Sequence, residues 1–378
     1  MTNSFSTVEQ IAFEAVAKVG RELTGMSAVA GRDFNGNQVA LNGRVDVPVM
    51  KASTIGDVTP SATFPTGEDR TSSVRSFILD NQKEATWNMV AEEERALNNS
   101  GNAQDVMRQT IEQNIRGLAN LIEANTCNVA QLAATQGRGV AGTNPFASNL
   151  SMVATQRKVL DDLGAPQGDR HIIIDTSAGK AIRDQLTTGF LVGAETKSET
   201  MTGHLLNLHG FDIGESAGIA THTAGTGTLY EVNGTPALGD TAIPIDTGSG
   251  TILAGDMVGF DGSTDYYGVR SDFVSGNLTL QDPGLIKQIT LPADGDVLAL
   301  APTHTAHLAF QKSAITTVVR PSDQPEGSNS EKSVIIDPVT GFAFLLLRVE
   351  QNGQASWFMR VTFGAFAQNP QFISKIIG

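Results

Sequence analysis

The segment AQDVMRQTIEQNIRGLANLIEANTCNVAQLAA, residues 103–134, is the longest periodic stretch of the chain. Met107, Ile111, Ile115, Leu118, Ile122, Val129 and Leu132 keep the three-to-four spacing of one helix face, interrupted by polar Asn125 and Thr126. Asn102 is a plausible N-cap, and Gly137 and Gly139 are expected to end the helix. At 1.5 Å per residue it would be about 45–50 Å long. Its apolar stripe is narrow, and Gln, Asn, Arg and Glu fill the remaining faces. That pattern predicts a spine lying across a sheet rather than a helix buried on all sides.

Upstream, Val45, Val47 and Val49 alternate with Arg44, Asp46 and Pro48, the pattern of a half-exposed strand. A polar stretch from Thr59 to Thr71 separates it from a second alternating segment, Val74–Leu79. Together they predict an extended hairpin. Two isolated strands are marginal in water, so the arm is expected to lie on a neighbour. Earlier still, Ser6-Thr7-Val8-Glu9 is a capping box, and Val8, Ile11, Ala12, Ala15, Val19 and Leu23 continue an amphipathic helix up to Gly25.

Downstream comes a βα pattern. Met152–Leu163 predicts a helix and His171–Asp175 a buried strand. Thr176 or Ser177 is expected to cap the next helix, which contains Ala181, Ile182 and Leu186, and Leu205–Ile213 reads as a strand. Short strands are expected at Thr228–Val232, Ile243–Ile245, Thr251–Leu253, Met257–Phe260, Tyr266–Val269 and Leu278–Leu280, with Gly-containing turns between them. This spacing suggests a small antiparallel barrel or sandwich. Ala314–Val319, Val334–Ile336, Phe342–Val349 and Trp357–Phe366 are the last strand candidates. The order reads as an α/β part interrupted by a β-part and then completed.

The charge marks the same interruption. The chain of 378 residues has a formal net charge of −14, and residues 203–300 hold 12 acidic against 2 basic residues, Arg270 and Lys287. They also hold 17 of the 39 glycines. A shift this sharp suggests an inserted module. The overall acidity argues against a broad nucleic-acid-binding face. The one cysteine, Cys127, excludes an intramolecular disulfide framework and is expected to be a packed residue. The start lacks a basic leader pattern, and the best apolar run, Phe342–Leu347, is far short of the ~20 residues of a membrane span. A soluble protein of a cytoplasm-like compartment is the reading by exclusion.

Motifs of chemistry are scarce. Asp246-Thr247-Gly248-Ser249 matches the local signature of aspartic proteases, but that chemistry needs two carboxylates sharing a proton, and no second Asp-Thr-Gly occurs. A turn between strands is the preferred reading. Gly179-Lys180 lacks the first glycine and the Ser/Thr of a phosphate loop. His304-x-x-His307 would suit a metal only on a helix, which Pro302 disfavours. No catalytic residue, cofactor or metal site is expected, and the chain is read as a structural protein rather than an enzyme.

The order of elements resembles the major capsid (coat) protein of tailed bacteriophages, with the Hong Kong 97-type fold, and within it the phage P-twenty-two-type branch that carries an insertion domain. Residues 102–134 look like its spine helix and 45–80 like its extended E-loop. Leu206-x-x-His209-Gly210-Phe211-Asp212-Ile213, Leu253–Gly262 and Gln281–Leu285 are similar to strands and turns of its insertion, and Phe363-Gly364-Ala365-Phe366 to its last core strand. The resemblance implies an α+β fold: an N-terminal arm, an E-loop hairpin, a spine helix and an α/β A-domain, with an inserted small antiparallel β-barrel. It divides the chain into an arm (1–40), the E-loop (41–85), a P-domain (86–150), the first part of the A-domain (151–222), the acidic insertion (223–300) and the completion of both domains (301–378). It further implies self-assembly into hexamers and pentamers of an icosahedral shell in the virion, formed in the host cytoplasm. A separate scaffolding protein, a portal at one vertex and enclosed double-stranded DNA are the implied partners, with no membrane. Subunit contacts are expected from Val45, Val47, Val49, Val74, Phe77 and Leu79 on the arm, and from Asp240 and Asp246 in a Thr235–Asp246 loop of the insertion. Another virion component, a tail tube or adhesin, is the alternative; a dimeric protease using Asp246 is a remoter one.

Overall fold

The computed structural model describes residues 26–31, 41–50, 72–100, 103–187, 207–260, 265–285, 291–323, 331–336 and 342–378. The expected N-terminal helix up to Gly25, the hairpin tip and the Asn102 cap lie outside the described residues. In chain order the elements are α1 (Met26–Val29), β1 (Arg44–Met50), β2 (Ser72–Ile78), β3 (Asn81–Val90), α2 (Ala91–Ser100), α3 (Ala103–Ala133), β4 (Gln136–Gly139), α4 (Ser151–Asp162), β5 (Arg170–Ile174), α5 (Thr176–Thr187), β6 (Asn207–Leu208), β7 (Phe211–Glu215) and β8 (Thr221–His222). There follow β9 (Thr228–Val232), β10 (Ala242–Ser249), β11 (Met257–Phe260), β12 (Tyr266–Gly268), β13 (Asn277–Thr279), β14 (Leu298–Leu300), β15 (His304–Gln311), β16 (Ile315–Arg320), β17 (Glu331–Ile336), β18 (Ala343–Gln351), β19 (Gln354–Ala367) and β20 (Ile373–Ile377). No described helix is long and apolar enough to cross a membrane.

The spine helix α3 joins two cores. Its first half sets Ile111, Ile115, Leu118 and Ile122 against Phe344, Leu346, Trp357, Met359 and Val361 of a sheet ordered β16-β19-β18-β17, with β3 also paired to β19. Its second half turns small residues, Cys127 and Ala130, and with them Ala134 just past its end, towards Ile173, Leu308, Phe310 and Ile377 of the larger sheet. Small side chains let that sheet approach the helix closely. The polar break in the stripe is absorbed locally: buried Thr126 returns its hydroxyl to the Ile122 carbonyl at 2.9 Å.

The larger sheet runs β14-β11-β12-β4-β20-β15-β5-β7-β6, with β8 also paired to β15. Only β5–β7 and β4–β20 are parallel pairs among these. Gly137 and Gly139 do not end α3; they lie in β4, because this strip must pass beside β20. A Cβ on Gly139 would sit 2.1 Å from the Ile377 carbonyl, and its φ of 130° is open to glycine alone.

Three other expectations change. Asp175 caps α5 in place of Thr176 or Ser177, its Oδ1 accepting from Ala178 N at 2.8 Å. Leu205–Ile213 is no single strand: His209 (φ 52°) and Gly210 (φ 81°) turn β6 back on β7 as a two-residue hairpin. Thr251–Leu253 is irregular, because its amides serve side chains, Thr251 N to Thr226 Oγ1 and Leu253 N to Asp256 Oδ2. Strand β3, helix α2 and strands β15 and β20 were not foreseen. The mostly exposed β3 shows only the weak alternation of Ala85, Trp87 and Met89, whose Trp87 stacks on Trp357 at 5.8 Å.

In the acidic segment, β13, β10 and β9 form one sheet, while β14, β11 and β12 sit at the end of the large one. Single bridges join the two groups, Val269↔Leu280 on one side and Glu231↔Val297 on the other. The pairings therefore run in a ring around one core of Tyr230, Val232, Ile243, Ile245, Val258, Phe260, Tyr267, Leu278 and Leu280. The segment is not self-contained, however. Tyr266 and Tyr267 of β12 also pair with Gly137 and Gln136 of β4, so one sheet continues from the core into the insertion.

Candidate assembly surface

The hairpin is a two-stranded sheet of its own, with Val45 opposite Phe77, Val47 opposite Arg75 and Val49 opposite Ser73. Asn42 N to Leu79 O, 2.8 Å, closes its base. Alternation then divides β2. Phe77 and Leu79, expected at subunit contacts, are buried within the chain: Phe77 stacks on Phe366 at 5.4 Å, and both join Val318 in a small core. They anchor the hairpin to β16 and β19. The opposite row, Val74 and Ile78, is 53% exposed at each residue. Arg75 reaches instead towards the insertion, with Nη2 3.2 Å from Asp282 Oδ2, a carboxylate shared with Arg270 at 3.5 Å. Burial lowers the Arg75 pKa and Asp282 opposes that shift, so the pair is held in a half-buried seam.

Asp240 and Asp246 are both exposed but do not share a loop. Asp240 closes a turn, its Oδ2 accepting from Ala237 N at 2.7 Å. Asp246 lies within β10, accepts from Asn233 Nδ2 at 2.8 Å and stands opposite Glu231. Strand pairing thus puts two like charges side by side on this sheet.

The place where the chain enters the insertion carries a feature that motif reading missed. Asp256 is fully buried. Its carboxylate accepts from Leu253 N at 2.7 Å and from Gly225 N at 3.2 Å, and meets His222 Nε2 at 2.8 Å. One side chain therefore ties β8, the loop leaving it and the turn before β11. His304 and His307, weighed as helical metal ligands, lie on strand β15, where a spacing of three sends them to opposite faces. His304 faces His222, ring centroids 5.4 Å apart; His307 Nδ1 lies 3.3 Å from Asp175 N. Among the described residues no group of three metal-ligating side chains occurs. Cys127 is buried, which raises its thiol pKa, with Glu123 adding to the rise.

No family model matches the chain, and no curated protein matches its sequence. A solved structure from Mycobacterium phage Che8 shares its architecture, with a TM-score of 0.50 at 12% identity, over 93% of this chain and 90% of that one. The chain has the Hong Kong 97-type fold. In the terms of that fold, β1 and β2 are the E-loop strands and α3 is the spine helix. Two further solved structures are similar to this Hong Kong 97-type chain. One is described as the asymmetric unit of the bacteriophage PhiM1 mature capsid, at 0.46 and 12% identity over 92% and 87% of the two chains. The other is described as the capsid structure of the cyanophage P-SCSP1u, at 0.46 and 13% over 90% and 84%.

Proposed function

We propose that this chain is the major capsid protein of a tailed double-stranded DNA bacteriophage, copies of which form the hexamers and pentamers of an icosahedral shell. The observation that carries the reading is the fold shared with the Che8 chain along nearly the whole length of both. The E-loop hairpin supports it: it is anchored at its base by Phe77 and Leu79, while Val74 and Ile78 are left to water in the single chain. A tail-tube or adhesin role would account for the β-rich insertion but not for a spine helix joining two sheets. The role is structural, with no catalytic step assigned to Asp246. A separate scaffolding protein, a portal and packaged DNA complete the assembly in this reading. The arm contributes Val74 and Ile78 to subunit contacts, and Phe77 and Leu79, on the row that the register shares with Val45, Val47 and Val49, set its angle.

Purified chain, with and without the phage's scaffolding protein, is expected to give closed shells by negative-stain electron microscopy and species of megadalton mass by light scattering. Species that stay below a megadalton under both conditions would overturn the reading.

The acidic surface of the insertion is placed at contacts between subunits. Like charges opposed across an interface repel, and salt screens them with a Debye length of about 10 Å at 0.1 M. Asp240→Asn with Asp246→Asn is therefore expected to lower the salt needed for assembly, or to change particle size. Light-scattering titrations against NaCl that superimpose on the unmodified protein would remove this assignment.

A further inference from the structure

We propose that Lys375 is a proton-operated latch between the C-terminal strand and the insertion, closed when its amine is neutral. The side chain lies in the apolar run Ile373-Ser374-Lys375-Ile376-Ile377, and it has no exposed surface. Nζ donates to the Gly255 carbonyl at 2.8 Å, across from β20 to the turn that leads into β11. Gly255 is held there by its φ of 85° and by Leu132, whose Cδ2 would lie 2.5 Å from an added Cβ. The acceptor is thus fixed, and the contact spans core and insertion.

Among the described residues several titratable groups surround Lys375, including Tyr266, which the register sets on the same face two strands away across Gly137. Asp256 in the turn before β11, His222 of β8 and His304 of β15 lie on the Lys375 side. From α3, which covers this face, come Glu123, bound to Ser216 Oγ, and the Cys127 thiol. Arg138 and His307 stand beside Ile376 in the register and so occupy the opposite face. His304 Nδ1 lies 2.7 Å from the Pro302 carbonyl, which can only accept, so the neutral ring carries its proton there. Its Nε2 is buried and lacks a hydrogen-bond partner among the described residues.

Burial lowers the Lys375 pKa to about 7, with Asp256 opposing the shift. Burial likewise lowers His304 to about 4, opposed by its bond to Pro302 and reinforced by Lys375 and His222. A lysine exposed by opening regains its ordinary value near 10.4. Between about 7 and that value the open junction holds a proton that the closed one does not. Closure is therefore strongest above the ordinary pKa, weakens as pH falls, and is weakest at and below about pH 7. His304 adds a second weakening as pH falls from its ordinary 6.5 towards about 4. Acidification thus loosens the contact between β20 and the turn that leads into β11.

Hydrogen exchange on the full chain at pH 7.5 and 9.5, corrected for the intrinsic rate, tests this. The opening equilibrium read from peptides covering 251–257 and 373–377 is expected to fall by about tenfold per pH unit, with β18 peptides unchanged. In Lys375→Met, whose side chain is uncharged and of similar length, the same peptides are expected to vary by less than about threefold. Equal pH dependence in both proteins overturns the proposal. If the variant does not fold, flat protection across this range in the unmodified protein overturns it alone.

Discussion

Val74→Asp combined with Ile78→Asp is expected to abolish shell formation while leaving the chain folded. Both residues are 53% exposed in the single chain, so a carboxylate at either stays solvated before assembly and folding is little affected. Phe77 and Leu79, which point the other way into the Val318 and Phe366 core, are untouched by the change. If Val74 and Ile78 lie against a neighbouring copy, each added carboxylate must be desolvated without a partner. A penalty of about 2.8 kcal/mol per contact raises the concentration needed for assembly about a hundredfold. The check is a circular dichroism melt matching the unmodified chain, together with light scattering and microscopy across a concentration series. Normal shells at the normal threshold would show that this row of the hairpin faces solvent in the particle.

Asp256→Ala is expected to destabilise the chain by about 3–5 kcal/mol, the range for breaking a buried, hydrogen-bonded charge. The variant leaves the Gly225 and Leu253 amides and the His222 ring without their acceptor, in a junction where Asp256 has no exposure. Asp256→Asn should lose less, because its carbonyl oxygen keeps one donor while its amide group faces the others. Urea unfolding at neutral pH reads both values, and a loss under about 1 kcal/mol for the alanine variant would contradict the cradle described.

The contrast between these two sites shows what kind of information a sequence carries. The hairpin was legible because alternation in Val45–Val49 and Val74–Leu79 reports strands directly, and register follows once two strands pair. What alternation could not say is which row faces outwards. Phe77 and Leu79 were grouped with Val74 as contacts, and only the approach of Phe366 divides them. The Asp256 cradle left no comparable trace. Its donors come from residues 222, 225 and 253, two of them backbone amides, and backbone donors have no sequence signature. Lys375 did leave one, a cation amid isoleucines, but its acceptor is a carbonyl 120 positions away.

By itself the sequence determined the spine helix, the E-loop strands and the βα order, because each rests on a local period of apolar residues. It also marked residues 203–300 as an acidic, glycine-rich stretch of short strands, since composition changes there. The tertiary structure alone decided that α3 bridges two cores and that β12 carries the large sheet into the insertion. It alone decided that His304 and His307 part company across β15, and that Asp256 and Lys375 hold the junction. Those outcomes depend on which distant strands become neighbours, and backbone hydrogen bonds between strands make that choice without regard to sequence distance.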